Sequence, residues 1–153
     1  MPSRTVLSLL ILNLLFCVGC GESGPERKET AKVTGQVFVD GKPADTLQFT
    51  CHDKLGVDKE LPTYSSGITD AEGKFELNTY EKGDGVPPGK YAVTFVWGEY
   101  SMHTMQYGGP DKLQGRYSDA QAPQFEFAVE SGEKKDLGKI ELTTKGEITK
   151  ISR

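Results

Sequence analysis

The sequence predicts an all-β domain, a β-sandwich of about seven short strands. Three observations lead there. Apolar and polar residues alternate with period two in several separate stretches, the mark of half-buried strands. Glycine (18) and proline (8) punctuate the chain between those stretches, and the Ala/Leu/Glu/Lys signature of helices is weak. Short strands must bury their apolar sides against something, and two packed sheets are the simplest arrangement that does so.

Taken in order, the chain opens with a leader at 1–19. Arg4 and the amino terminus supply the positive charge, and Val6 to Val18 is apolar except for Ser8 and Asn13. As a helix those thirteen residues span about 20 Å, short of the ~30 Å hydrocarbon core. A basic start, a short apolar run and small residues before a break form the grammar of a cleaved signal helix; an uncleaved short anchor is the plainer alternative.

The run ends Phe16-Cys17-Val18-Gly19-Cys20. Small Val18-Gly19 before Cys20 resembles the bacterial lipoprotein box. The resemblance implies a diacylglyceryl group on the Cys20 thiol, cleavage before it and acylation of the new amino terminus. Cys17 stands where that pattern most often has Leu, and bulky Phe16 makes Cys17 itself a poor lipidation site. An ordinary signal peptidase cutting after Gly19 would instead leave Cys20 a free thiol able to pair with Cys51. With Cys20 acylated, Cys51 is the only remaining thiol and reads as a small core hydrophobe.

Residues 20–31 form the acylated cysteine and a flexible linker. Gly21 to Ala31 is polar and aperiodic and contains Pro25. These eleven residues reach at most about 35–40 Å.

The sandwich is expected over 32–143. Val33, Gly35, Val37 and Val39 share one strand face, and Asp40-Gly41-Lys42-Pro43 turns the chain. Leu47, Phe49 and Cys51 mark the inward side of a second strand, followed by a polar loop to Ser66. Ser66 to Thr69 and Phe75 to Thr79 read as strands joined by a hairpin turn at Asp70-Ala71-Glu72-Gly73. Tyr91 to Trp97 is apolar at nearly every position, which predicts a central strand buried on both faces. Residues 99–122 are irregular. Phe125, Phe127 and Val129 form another strand, and Leu137 to Leu142 the last clear one. The tail 144–153 is expected to fray, or to add a short pairing near Ile148.

Without the leader the chain has 17 Lys+Arg against 22 Asp+Glu, a mildly acidic balance with no basic patch, so nucleic acid is not an expected partner. A single domain of this length buries roughly two-thirds of its unfolded surface and needs no disulfide or metal to fold.

Three segments in order carry a further resemblance: Val33-Thr34-Gly35-Gln36-Val37-Phe38-Val39-Asp40-Gly41-Lys42-Pro43, Thr69-Asp70-Ala71-Glu72-Gly73-Lys74-Phe75 and Pro88-Gly89-Lys90-Tyr91-Ala92-Val93. Together they resemble the carboxypeptidase regulatory-like domain, over roughly residues 32 to 142. That resemblance implies a transthyretin-like (prealbumin-like) sandwich with an accessory or interaction role and no stated activity. The hydroxyisourate hydrolases of the wider fold carry characteristic histidines and a terminal Tyr-Arg-Gly-Ser. Here Gly115-Arg116-Tyr117-Ser118 has those residue types in another order and place, so the catalytic roles do not carry over.

No catalytic constellation is legible. Cys51 and His52 lie on opposite faces of one strand and cannot share a metal. Met102, His103 and Met105 supply soft ligands suited to Cu(I), against the ordinary reading of a partly packed loop. Asp70, Glu72 and Gly73 resemble a calcium loop but lack EF-hand spacing. Trp97, Tyr100, Tyr107 and Tyr117 make either a contact surface or core anchors. The expected function is thus a membrane-anchored, non-enzymatic envelope lipoprotein, with lipid as partner through acylated Cys20, a further envelope protein or polysaccharide partner, and no cofactor. The alternatives are a periplasmic copper-binding protein using the 102–105 loop and a small transthyretin-like hydrolase.

Overall fold

The computed structural model describes residues 25–153; Cys20, its flanking box and the leader lie outside the described residues. The protein is all-β, two sheets packed into a sandwich, and no helix occurs among the described residues. The first sheet is built on β1 (Lys32–Val39). Its early position in the domain does not prevent it from pairing in parallel with β10 (Lys134–Leu142), about a hundred residues later. Its other edge takes β2 (Lys42–Pro43) and β5 (Lys74–Glu76), both antiparallel. The β1·β10 register slips by one residue between Thr34 and Gln36, where β10 bulges and Gly138 takes φ 63°.

The second sheet runs β11 (Ile151–Ser152), β9 (Phe125–Val129), β6 (Gly89–Val96), β3 (Gln48–Asp53), β4 (Ser65–Ile68). Strand β6 is central, as its apolar run predicts. A separate ribbon, β7 (Glu99–Ser101) with β8 (Gln106–Gly108), projects from the end of β6.

Between the sheets, Val33, Val37, Phe75, Leu137, Ile140 and Leu142 meet Phe49, Val93, Phe95, Phe125, Phe127 and Cys51, all buried. The rings interlock: Phe95 stands near-perpendicular to Tyr117 and Phe125, and Tyr91 stacks on Phe127 at 5.3 Å. The inward faces follow the period-two reading of β1, β3 and β9; in β10 the bulge turns Leu137 and Ile140, three residues apart, both inward, and alternation resumes at Leu142.

Several local expectations change. Strand β6 is not buried on both faces: Tyr91, Val93 and Phe95 are, but on the other face Thr94 is half-buried and Val96 is 40% exposed. No third layer covers that end of the sheet. The strand also ends at Val96, so Trp97 lies beyond it. There the indole Nε1 donates to Asp45 O at 2.9 Å, with the Lys112 ammonium 5.0 Å above the ring.

The turn at 70–73 closes as expected, with Gly73 N donating to Asp70 O and Asp70 N to Lys74 O. The strands it joins nevertheless belong to different sheets, and the backbone pairing between the two segments is a single bridge, Ser66 to Asn78. Gly73 is required twice over. Its φ is 76°, and a Cβ there would lie 2.3 Å from Val37 O.

Residues 27–31, read as linker, lie along the domain. Ala31 is buried and exchanges backbone hydrogen bonds with Val86, Arg27 pairs with Glu81 and Lys28 with Asp58. In the tail, the pairing forms at Ile151 and Ser152 against Phe125 and Glu126, with Ile148 packed on the core.

Residues 109–122 are turns rather than strands, held by specific side chains. Asp111 accepts from the amides of Trp97, Leu113 and Gly115. Tyr117 Oη accepts from Thr143 N at 2.9 Å, and Leu113 and Tyr117 are buried.

Candidate functional site

The five-stranded sheet turns one face to the core and the other to solvent. On the outer face the register places side chains in a row. His52 of β3 is opposite Ala92 of β6, and Ala92 is opposite Glu126 of β9. Ser65, the first residue of β4, is opposite Cys51 and buried, while Tyr64, just before the strand, is exposed and lines the same trench as His52. Residues 54–64 and 120–124 wall this row into a trench of about 990 Å³.

The walls are Asp-capped turns. Asp53 Oδ1 accepts from Leu55 N, Asp58 Oδ1 from the amides of Glu60 and Leu61, and Asp119 Oδ1 from Gln121 N. Short polar side chains take over backbone donors there, so the loops hold a shape without regular structure.

Apart from Asp53, which caps its own turn, the charged side chains of the trench are paired with one another. Lys54 Nζ and Lys150 Nζ both lie 3.1 Å from Glu126 Oε1, and the two ammoniums, Lys150 first, hold that carboxyl below the usual range. Lys28 Nζ lies 2.8 Å from Asp58 Oδ2, and with the two capped amides it brings Asp58 down to about 2. His52 Nε2 shares a hydrogen bond with Thr94 Oγ1 at 2.9 Å. Ala92, buried, gives the floor a shallow centre between His52 and Glu126.

The structure separates the residues singled out in the sequence. Cys51 is 7% exposed and faces the core, and desolvation pushes its thiol up to about 12. His52 faces the trench, so the two adjacent side chains do point apart. Met102, His103 and Met105 occupy the exposed turn that joins β7 to β8, where Met105 takes φ 53°. Among the described residues, no group of three His, Cys, Asp or Glu side chains is placed to hold a metal ion. The Asp70 carboxylate is committed to the amides of Glu72 and Lys74, as a plain turn requires.

Of the aromatics in and beside the irregular region, Trp97 and Tyr117 are tied down as described above. Tyr107 Oη donates to Val96 O and accepts from Gly98 N, fixing the ribbon to the end of β6. Sequence reasoning missed Tyr64, Lys54, Glu126 and Lys150. The one available signal was Tyr64 itself, a lone aromatic in a polar loop.

No protein-family model matches the chain, and no curated protein matches it. Among solved structures it is similar to a 9R-lipoxygenase from Cyanothece PCC8801, at 16% identity and a TM-score of 0.39, covering 92% of this chain and 21% of that one. It is also similar to an (S)-allantoin synthase, at 18% identity and a TM-score of 0.43, covering 76% of this chain and 42% of that one. The chain spans less than half the length of either, and both likenesses are distant ones between β-sandwich domains.

Proposed function

We propose that the chain is an exported lipoprotein, cut before Cys20 and acylated on it, whose sandwich is a non-enzymatic binding domain of the carboxypeptidase regulatory-like, transthyretin-like type. The observation that carries this reading is Val18-Gly19-Cys20 at the end of a short apolar run that follows Arg4. Acyl chains contribute about 0.8 kcal/mol per buried methylene, and two or more make anchoring stable. The packing of 27–31 on the domain is consistent with a short spacer. Only Gly21 to Glu26 then separate the anchor from the sandwich, at most about 20 Å of chain. The trench, with Lys28 on its rim, would therefore sit close to the membrane surface.

The test is palmitate labelling of cells expressing the full chain, with mass spectrometry of the N-terminal peptide. Wild type is expected to carry label and diacylglyceryl-Cys20 and to fractionate with membranes, and Cys20→Ser to carry neither modification. An unmodified or disulfide-bonded Cys20 overturns the reading.

A further inference from the structure

We infer that the trench on the outer face of the five-stranded sheet is a binding site for a neutral oligosaccharide chain, with Tyr64 as its stacking platform. The inference rests on the reading of the sandwich as a binding domain and names the ligand class of that site. Three features of the trench select this chemistry.

The first is shape. His52, Ala92 and Glu126 lie in one row across β3, β6 and β9, about 10 Å at the usual spacing between strands, and Tyr64, just before β4, lines the same trench. The walls enclose about 990 Å³ over that row. Such a space takes several linked rings laid across the strands, with the low Ala92 floor beneath the middle of the chain.

The second is Tyr64. It is 75% exposed, next to the buried Ser65, whose Oγ lies 2.7 Å from Thr79 Oγ1. An exposed aromatic ring at one end of a polar trench offers an apolar face to the C–H side of a sugar ring. Its hydroxyl stays in water, the divided character that suits tyrosine to binding surfaces.

The third is charge. Lys28, Lys54 and Lys150 are each within 3.1 Å of a carboxylate of the same trench. An anionic ligand would have to break those pairs to gain an ammonium. A neutral hydroxyl-rich ligand can instead bond to their outer lone pairs and protons, and to the side chains of Gln121, Thr50 and Thr63, without separating any ion pair.

The test uses the full chain, processed in cells and purified by a C-terminal affinity tag from a detergent extract of whole cells. Isothermal titration is run with chitohexaose, cellohexaose and maltohexaose, three neutral chains that differ in linkage and acetamido substitution. At least one is expected to bind with an affinity that added salt leaves unchanged. Tyr64→Ala is expected to weaken that binding about tenfold or more with an unchanged melting temperature, whereas Leu55→Ala, in the same wall but outside the trench, is expected to leave it intact.

Absence of binding to all three sugars overturns the inference, as does Tyr64→Ala binding like the parent. Binding confined to a polyanion such as heparin, and lost in salt, overturns it too. Mass spectrometry of the same preparation separates this inference from the proposal it rests on. Acylated Cys20 without sugar binding removes the ligand assignment alone, and sugar binding with unmodified Cys20 removes the anchoring alone.

Discussion

Phe49 and Phe75 meet edge to face between the two sheets, with ring centroids 4.6 Å apart and planes at 68°, and each covers a glycine on the strand beside its own. Phe49 lies opposite Gly67 and Phe75 opposite Gly35. A Cβ at Gly67 would fall 2.4 Å from Phe49 Cζ, and one at Gly35 would fall 2.7 Å from Phe75 Cζ. The two glycines leave the space that lets the two rings touch. Gly67→Ala and Gly35→Ala should each cost about 1–3 kcal/mol by overpacking. Thermal melts that move by no more than a degree or two would show that the rings have room to shift.

Thr69 should behave as a buried hydrogen-bonding post. Its Oγ1 accepts from Leu47 N at 2.9 Å and donates to Ala44 O at 2.5 Å, fixing the chain between β2 and β3. Thr69→Val keeps the shape and orphans both groups, so urea denaturation should show a loss of about 1–3 kcal/mol for each group left unpaired. Thr69→Ser, which keeps the hydroxyl, should recover most of it; a Thr69→Val variant as stable as the parent would show that the two bonds contribute nothing net.

Phe95→Ala should destabilise more than Trp97→Ala. Phe95 is 1% exposed and touches Phe49, Tyr117 and Phe125, which points to about 3–5 kcal/mol. Trp97 stands past the end of β6, half-buried, and loses one hydrogen bond and a partly wet face. The reverse order in guanidinium melts would return Trp97 to the core.

Cys51 should be silent to thiol reagents while the domain is folded. Reactivity needs the thiolate, and desolvation disfavours it here. In the processed chain, with the leader removed and Cys20 acylated, labelling near pH 8 should require denaturant. Rapid labelling of native protein would mean that β3 opens locally.

Acid should weaken the fold through carboxylates that are bonded as anions. Asp40 is held below its ordinary 3.8 first by Thr144, side chain and amide, and then by Thr143. Asp58 falls to about 2 through Lys28 and two amides. For both, the folded pKa lies below the unfolded one. Their contribution is therefore complete above the unfolded value and is lost as pH falls through the folded one. Urea midpoints should stay flat down to about pH 5 and then decline, and Asp58→Asn should decline less steeply over the Asp58 window, between 3.8 and about 2. Parallel curves for parent and variant would remove Asp58 from the acid response.

The sandwich class, the approximate places of seven of the eleven strands among the described residues and the inward faces of β1, β3 and β9 were legible in the sequence alone. Alternation of side chains along an extended chain is local, so it can be read from neighbouring residues. The Cys51 and His52 assignments to opposite faces follow from the same rule. The tertiary structure decided everything that depends on which strands lie side by side. It paired β1 in parallel with β10, sent β4 and β5 to different sheets from one turn, and left the Val96 face of β6 open. It also aligned His52, Ala92 and Glu126 and set Tyr64 in the same trench, a matter of cross-strand register between segments far apart in the chain. Register is set by the packing of both sheets at once, and for that reason the trench could not be read from any one stretch of residues.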